Sequence, residues 1–358
     1  MCRPSLGVYP EVSLAKARQR REAAKELLSG GIDPAQAKRD EKYEKADAAA
    51  NTFAAVARTW MTKTEPSRAA TTHSKLSAWL NKDVIPAIGS KPISSITPRE
   101  VLLMLQKVEA RGTIDSAHQI KQLCGRIFRF AVASGLAERD VTVDLKGVLS
   151  APVQTHYAAI TEPSQAGALL RSIDSYTGHA YAAAALKLSP LVFLRPGELR
   201  AAEWSEINLD AAQWRIPAEK MKLRIEHMVP LSTQVVEILR AVHLLSGHGR
   251  YVFPSIRTGE RCMSENTVNA ALRGMGYSKE VMTAHGFRAM ARTILDEVLG
   301  ERVDLIEHQL AHAVKDPNGR AYNRTAHLPA RVEMMQRWAD YLETLRKGAE
   351  IIPLRDNT

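Results

Sequence analysis

Cysteine is scarce in this chain: Cys2, Cys124 and Cys262 are the three present, and no two of them have a paired spacing. A disulfide framework and a CxxC-type zinc finger are therefore excluded, and a reducing compartment is the natural setting. Long apolar runs are missing as well. No stretch approaches the roughly 18 residues of a membrane span, and the N-terminus lacks the apolar core of a signal peptide, so a soluble cytoplasmic protein is expected. Internal repeats and low-complexity tracts are absent, which removes solenoid architectures. Acidic clusters with metal-ligand spacing are missing from the last quarter of the chain, where most of the chemistry-bearing residues collect. What is plentiful is positive charge: 49 Lys and Arg against 39 Asp and Glu, a formal net charge of +10. Such an excess suits a polyanionic partner, although ribosomal and membrane-surface proteins share it. The length of 358 residues predicts two or three domains, and 45% hydrophobic content is enough for real cores.

Punctuation along the chain divides it. Ser13 is a candidate N-cap for a basic helix running to Leu28 and stopped by Gly30-Gly31. Its apolar face is thin (Leu14, Ala17, Ala24, Leu28), and Asp40 to Lys45 reads as a charged linker. Four helical patterns follow between residues 51 and 150. Thr52 caps the first, with Phe53, Val56, Ala57 and Trp60 on one face; Leu76, Leu80 and Val84 mark the second. Thr97-Pro98-Arg99-Glu100 is a capping box with proline at the first helical position, and the fourth helix runs from about Asp115 to Gly135. Residues 150 to 163, with two prolines, read as an interdomain linker. Beyond it, helical patterns flank two predicted strands, 213–217 and 226–231, joined by a turn at 220–224.

The last quarter carries His285-Gly-Phe-Arg288, then Gln309-Leu-Ala-His312, then Ala321-Tyr322-Asn-Arg324, with Leu194-Arg195-Pro-Gly-Glu198 upstream. Arginines, histidines and a tyrosine in this order suggest phosphoryl transfer. Guanidinium forks hold the non-bridging oxygens of a phosphodiester bidentately and stay charged. A tyrosine is a poor nucleophile at its free pKa of about 10, so cations and a proton acceptor must surround the phenol. Arg195 stands just before a helix N-terminus, where backbone N–H groups already favour phosphate. His285 and Arg288, spaced i,i+3, share one helix face. His308 and His312 superficially fit a zinc helix, but Gln309 occupies the position of the catalytic glutamate, so His308 reads as structural or exposed.

These motifs resemble the tyrosine recombinase family, and within it the phage integrases of the satellite-phage type, over nearly the whole chain. The family's Arg-x-Gly-Glu turn is matched at Arg195, its His-x-x-Arg pair at His285 and Arg288, and its Leu-Gly-His position at Leu310-Ala311-His312. Its hairpin lysine, eight residues before the proline of a Val-Pro-Leu strand, falls on Lys222 when counted back from Pro230, with Lys220 as the flanking alternative. The nucleophile, nine or ten residues after the histidine, is Tyr322, and a second tyrosine five residues on is replaced by His327. Leu6-Gly7-Val8-Tyr9-Pro10 resembles the end of an amino-terminal arm-binding domain.

The resemblance implies a mainly α fold with a small antiparallel β-sheet: a helical core-binding domain plus a mixed α/β tyrosine-recombinase catalytic domain. The expected division is 1–46 for a remnant of the arm-binding domain and linker, 51–150 for the core-type DNA-binding domain, 160–345 for the catalytic domain and 346–358 for a tail. It further implies a site-specific recombinase working through a 3′-phosphotyrosyl intermediate, with Arg195, Lys222, His285, Arg288, His312 and Tyr322 as catalytic residues, no cofactor and no metal. Glu198 would orient the basic residues. Lys75, Lys121, Arg126 and Arg129 are candidates for facing DNA, each also readable as an ordinary solvated charge. Expected partners are double-stranded DNA and three further copies of the chain in a tetramer, in a nucleoid-associated setting; the need for an excisionase or a DNA-bending protein stays open. A carboxy-terminal helix at Arg331 to Arg346, with Met334, Met335, Trp338, Tyr341 and Leu342 as its apolar stripe, would dock on a neighbouring protomer or on its own domain. A DNA-relaxing enzyme of the type IB topoisomerase kind and a catalytically inactive DNA-binding protein are the alternatives.

Overall fold

The computed structural model describes residues 8–40, 50–152, 157–312 and 327–348. Two compact units divide the chain, Met1–Gln154 and Thr155–Thr358. In the first, α1 (Leu14–Ser29) begins where the Ser13 hydroxyl accepts the Lys16 N–H and ends where the Gly30 N–H closes on the Glu26 and Leu27 carbonyls. It buries none of its residues. A second helix, α2, is described over 34–40. Thr52 caps α3 (Phe53–Thr64), its hydroxyl accepting from the Ala55 N–H at 3.3 Å. Next, α4 (Ala70–Trp79) passes through a π-helical turn at Leu80–Val84 into the short α5 (Ile85–Ile88).

The capping box forms as its sequence predicts. Thr97 accepts from the Glu100 N–H while the Glu100 carboxylate accepts from the Thr97 N–H at 2.8 Å, which starts α6 (Pro98–Glu109). The fourth predicted helix is α7 (Ile114–Ala133), followed by Gly135 at φ +72°, a conformation that glycine adopts without strain. The apolar faces of these helices meet in one core, in which Phe53 and Phe128 are fully buried with ring centroids 5.6 Å apart.

The second unit contains α8 (Pro163–Asp174), α9 (Ala180–Val192), α10 (Pro196–Arg200), α11 (Thr233–Ser246), α12 (Thr267–Gly274), α13 (Gly286–Glu297), α14 (Val303–Gln309) and α15 (Leu328–Lys347). Its sheet has the order β1-β2-β3, all antiparallel: β1 (Ile207–Asn208), β2 (Gln213–Ile216) and β3 (His227–Pro230). Trp214 pairs with Val229 and both enter the core, while Arg215 points away. Strand β1 adds a third to the two strands that the sequence predicts; its two residues are too few to show an alternation.

The carboxy-terminal helix takes the second of its two expected placements, against its own domain. Met334, Met335, Trp338 and Leu342 are all buried within their own unit, where α15 packs on α8 and α9. The Trp338 indole donates to the Pro190 carbonyl at 2.9 Å and meets Phe193 edge-on, with centroids 6.3 Å apart. An apolar stripe shows only that a helix needs a cover, and here the domain's own helices supply it. No helix among the described residues is long and apolar enough to cross a membrane.

Candidate active site

Phe193, at φ +35°, turns the chain out of α9 and delivers Arg195 as the N-cap of α10. Glu198, one turn on and 7% exposed, takes the Arg195 backbone N–H at 3.0 Å with one oxygen and the guanidinium at 2.8 Å with the other. Arg195 Nη2 donates to the Ala311 carbonyl at 3.2 Å. Glu198 therefore orients Arg195, as expected of it.

Arg288 lies on the first turn of α13 and is 5% exposed. It donates to the Phe193 carbonyl at 2.9 Å and the Leu310 carbonyl at 2.7 Å, and stands 3.1 Å from His312 Nε2. Among the described residues no carboxylate forms an ion pair with it. Burial, with the nearby Arg195 charge, lowers its pKa to about 10, low for a guanidinium. A buried cation balanced by carbonyls rather than by a counter-ion is costly unless an anion arrives to complete it.

Three consecutive carbonyls build the scaffold beneath these cations. Gln309 O lies 3.1 Å from His227 Nε2, Leu310 O accepts from Arg288 and Ala311 O from Arg195. Ala311 takes φ +50° to present them, at the position where the resembling family carries glycine. From this turn His312 projects with Nδ1 2.6 Å from Glu307 Oε2, and Arg292 Nε holds the other Glu307 oxygen at 2.8 Å. The pairing leaves His312 Nε2 directed at Arg288.

His285 caps the start of α13, half-buried, with the Tyr157 ring 4.3 Å away centroid to centroid. Burial first, then the charges of Arg288, Arg195 and His312, push its pKa below the ordinary histidine value, so the ring is neutral near pH 7 and able to accept a proton. Gly286 beside it is demanded by close approach, since a Cβ there would meet the Ala158 carbonyl at 2.3 Å.

Arg195, Arg288 and His312 are thus brought together, with His285 within their field. Lys222 is exposed on the β2–β3 connection, and the structure gives it no partner among the described residues. Tyr322 lies outside the described residues. His308 is half-buried with its ring 5.7 Å from that of His327, a packing role. Of the candidate DNA-facing residues, Lys121 donates to the Leu145 carbonyl at 2.6 Å and Arg129 pairs with Asp140 at 2.7 Å. Lys75 covers the Trp79 ring at 4.8 Å, and Arg126 is exposed.

Sequence reasoning passed over three supporting residues. His227 is 7% exposed and lowered to about 3 by burial first and by Arg331 next, and Arg331, 2% exposed, donates to Gln309 Oε1 and to the Met228 carbonyl. Glu307 is the third. Its spacing of five before His312 was visible, but nothing local marks it as the histidine's partner.

Two arginines gathered beside a histidine turn, in a helical unit that holds a small sheet, form an arrangement suited to gripping a phosphate. The chain belongs to the phage integrase family, whose description matches residues 160–327, with the phage integrase central domain matching 53–148 and an arm DNA-binding domain 2–41. It is 37% identical to the integrase of Enterobacteria phage P4 over 371 residues, covering 99% of this chain and 83% of that protein. It is 36% identical to the prophage integrase IntZ of Escherichia coli (strain K12) over 344 residues, covering 96% and 84%. Among solved structures, a lambda integrase dimer bound to a COC′ core site is similar at a TM-score of 0.62 and 18% identity, covering 86% of this chain and 88% of that one. A lambda integrase tetramer bound to a Holliday junction is similar at a TM-score of 0.61 and 17% identity, covering 87% and 90%.

Proposed function

We propose that this integrase cleaves and rejoins double-stranded DNA through a covalent 3′-phosphotyrosyl link formed by Tyr322. The buried Arg288 guanidinium, which has no carboxylate ion pair among the described residues and is held by backbone carbonyls, carries this reading, because such a cation is suited to a phosphate. The phenol oxygen of Tyr322 attacks phosphorus in line with the 5′-oxygen, and its proton passes to neutral His285. Arg195, Arg288 and His312 hold the charge that grows on the non-bridging oxygens. The bond from phosphorus to the 5′-oxygen breaks, and Lys222 supplies the proton that makes a free 5′-hydroxyl. The phosphotyrosyl bond conserves the energy of the broken diester, so the same groups rejoin the strand in reverse.

Residues 51–150 are proposed as the core-site clamp, 160–345 as the catalytic domain and the amino-terminal segment as the arm-site contact, with four copies acting together on two duplexes. The topoisomerase alternative finds no support in the relatives, which are integrases. Trapping on a nicked core site tests the polarity: a kinase should label the released strand without phosphatase treatment, as a 5′-hydroxyl requires. A released 5′-phosphate would refute the scheme.

A further inference from the structure

Two lysines stand two residues apart on the β2–β3 connection, and their environments differ sharply. The Lys220 ammonium donates to the Ala201 carbonyl at 2.8 Å and to Glu203 Oε1 at 2.8 Å, and it also pairs with Glu206. An ammonium has three N–H donors, so all three are committed. The two carboxylates are themselves held: Glu203 pairs with Arg250 at 2.8 Å, and Glu206 accepts from the Trp214 indole at 3.2 Å. Ala201 closes α10, the helix that Arg195 opens. Lys220 thus ties the first root of the connection to the arginine's own helix.

The second root is tied to the other half of the site. His227, the first residue of β3, contacts the Gln309 carbonyl at 3.1 Å, next to the carbonyls that hold Arg288 and Arg195. Between the roots, Met221 is buried, Lys222, Leu223 and Arg224 are exposed, and Arg224 turns the chain at φ +55°. A short connection stapled at both ends has few ways to place its middle.

We propose that Lys220 is a positioning residue: its clamp on Ala201, Glu203 and Glu206 sets the root from which Lys222 reaches the leaving oxygen. This rests on the reading of Lys222 as the donor of the proton to the 5′-oxygen. The bond from phosphorus to that oxygen breaks, the electron pair stays on oxygen, and the Lys222 proton neutralises it. Lys220 touches no reacting atom.

The test compares single-turnover cleavage of a nicked core site carrying the ordinary 5′-oxygen with one carrying sulfur at that bridging position, using the full-length protein. A thiolate is a far weaker base than an alkoxide and departs without a proton. Lys222→Ala should lose about 10²-fold or more on oxygen, the usual worth of a general acid, and recover to near wild type on sulfur. Lys220→Met should show the same pattern with a loss of about 10- to 100-fold, the scale of a misplaced catalytic group. Glu206→Gln should show it more weakly. Should Lys220→Met fail to fold, Glu206→Gln decides. Unchanged rates on oxygen, or losses of equal size on both substrates, would overturn the proposal and leave Lys220 a purely structural ion pair. If Lys222→Ala is not recovered by sulfur, the role of Lys222 itself falls, whatever Lys220 shows.

Discussion

Trp338→Ala should destabilise the folded chain by several kcal/mol without any partner being involved. The ring is fully buried between α15 and the end of α9. Removing a buried Trp or Phe side chain typically costs about 3–5 kcal/mol through lost transfer energy and the cavity left behind. Its indole N–H also satisfies the Pro190 carbonyl, and a buried acceptor left without a donor costs roughly 1–3 kcal/mol. The two losses overlap, so about 4–6 kcal/mol is expected, a large share of the roughly 5–15 kcal/mol that holds a typical domain together. Urea unfolding followed by far-UV circular dichroism, at two protein concentrations, measures it. With a slope of about 2 kcal/mol per molar urea the midpoint should fall by about 2–3 M, independently of concentration. A loss below about 1 kcal/mol, or a midpoint that rises with concentration in the wild type alone, would show that the stripe is covered by another copy instead.

Two further outcomes follow from the carbonyl scaffold. Ala311→Gly relieves a left-handed alanine at φ +50°, worth about 1–2 kcal/mol against a smaller entropic cost of glycine in the unfolded chain; the melting temperature should rise slightly with cleavage retained, and a clear drop would mean the alanine methyl has a packing role. His227 is neutral when folded because its pKa falls to about 3, whereas the unfolded chain protonates near 6.5, so its contribution is complete above about pH 6.5 and is lost as pH falls towards 3. His227→Gln should therefore flatten the stability profile between about pH 6 and 4 by roughly 1.4 kcal/mol per pH unit; parallel profiles for the two proteins would refute it.

Local chemistry was the legible part of this chain. Ser13, Thr52 and the Thr97–Glu100 box announce their helices because a cap is written within four residues. Arg195, His285, Arg288 and His312 stand in short motifs ordered along the chain, and the structure gathers Arg195, Arg288 and His312 at the turn of residues 310–312. Lys220, the alternative that the count back from Pro230 sets aside, is committed to two carboxylates, and no spacing within the connection marks that commitment. What stayed hidden is what distant segments decide. His227 meets Gln309 across 82 positions, and Trp338 meets Pro190 across 148, so neither pairing leaves a local trace. Tyr157, coming from the segment read as a linker, contacts His285 for the same reason. The apolar stripe of α15 was visible as a stripe, but its cover was not, because periodicity carries no information about the opposing surface.

Attack of Tyr322 on DNA within a cradle of side-chain charge can be read out on a denaturing gel. Wild-type protein is mixed in EDTA with a nicked, end-labelled core site, beside Tyr322→Phe and Arg288→Ala. A covalent protein–DNA band is expected for the wild type despite the chelator, no band for Tyr322→Phe although it still shifts the DNA on a native gel, and slowed band formation for Arg288→Ala, which keeps its nucleophile but loses charge stabilisation worth on the order of several kcal/mol. A covalent band that persists in Tyr322→Phe, or one that forms in the wild type only when Mg²⁺ is restored, would contradict that expectation.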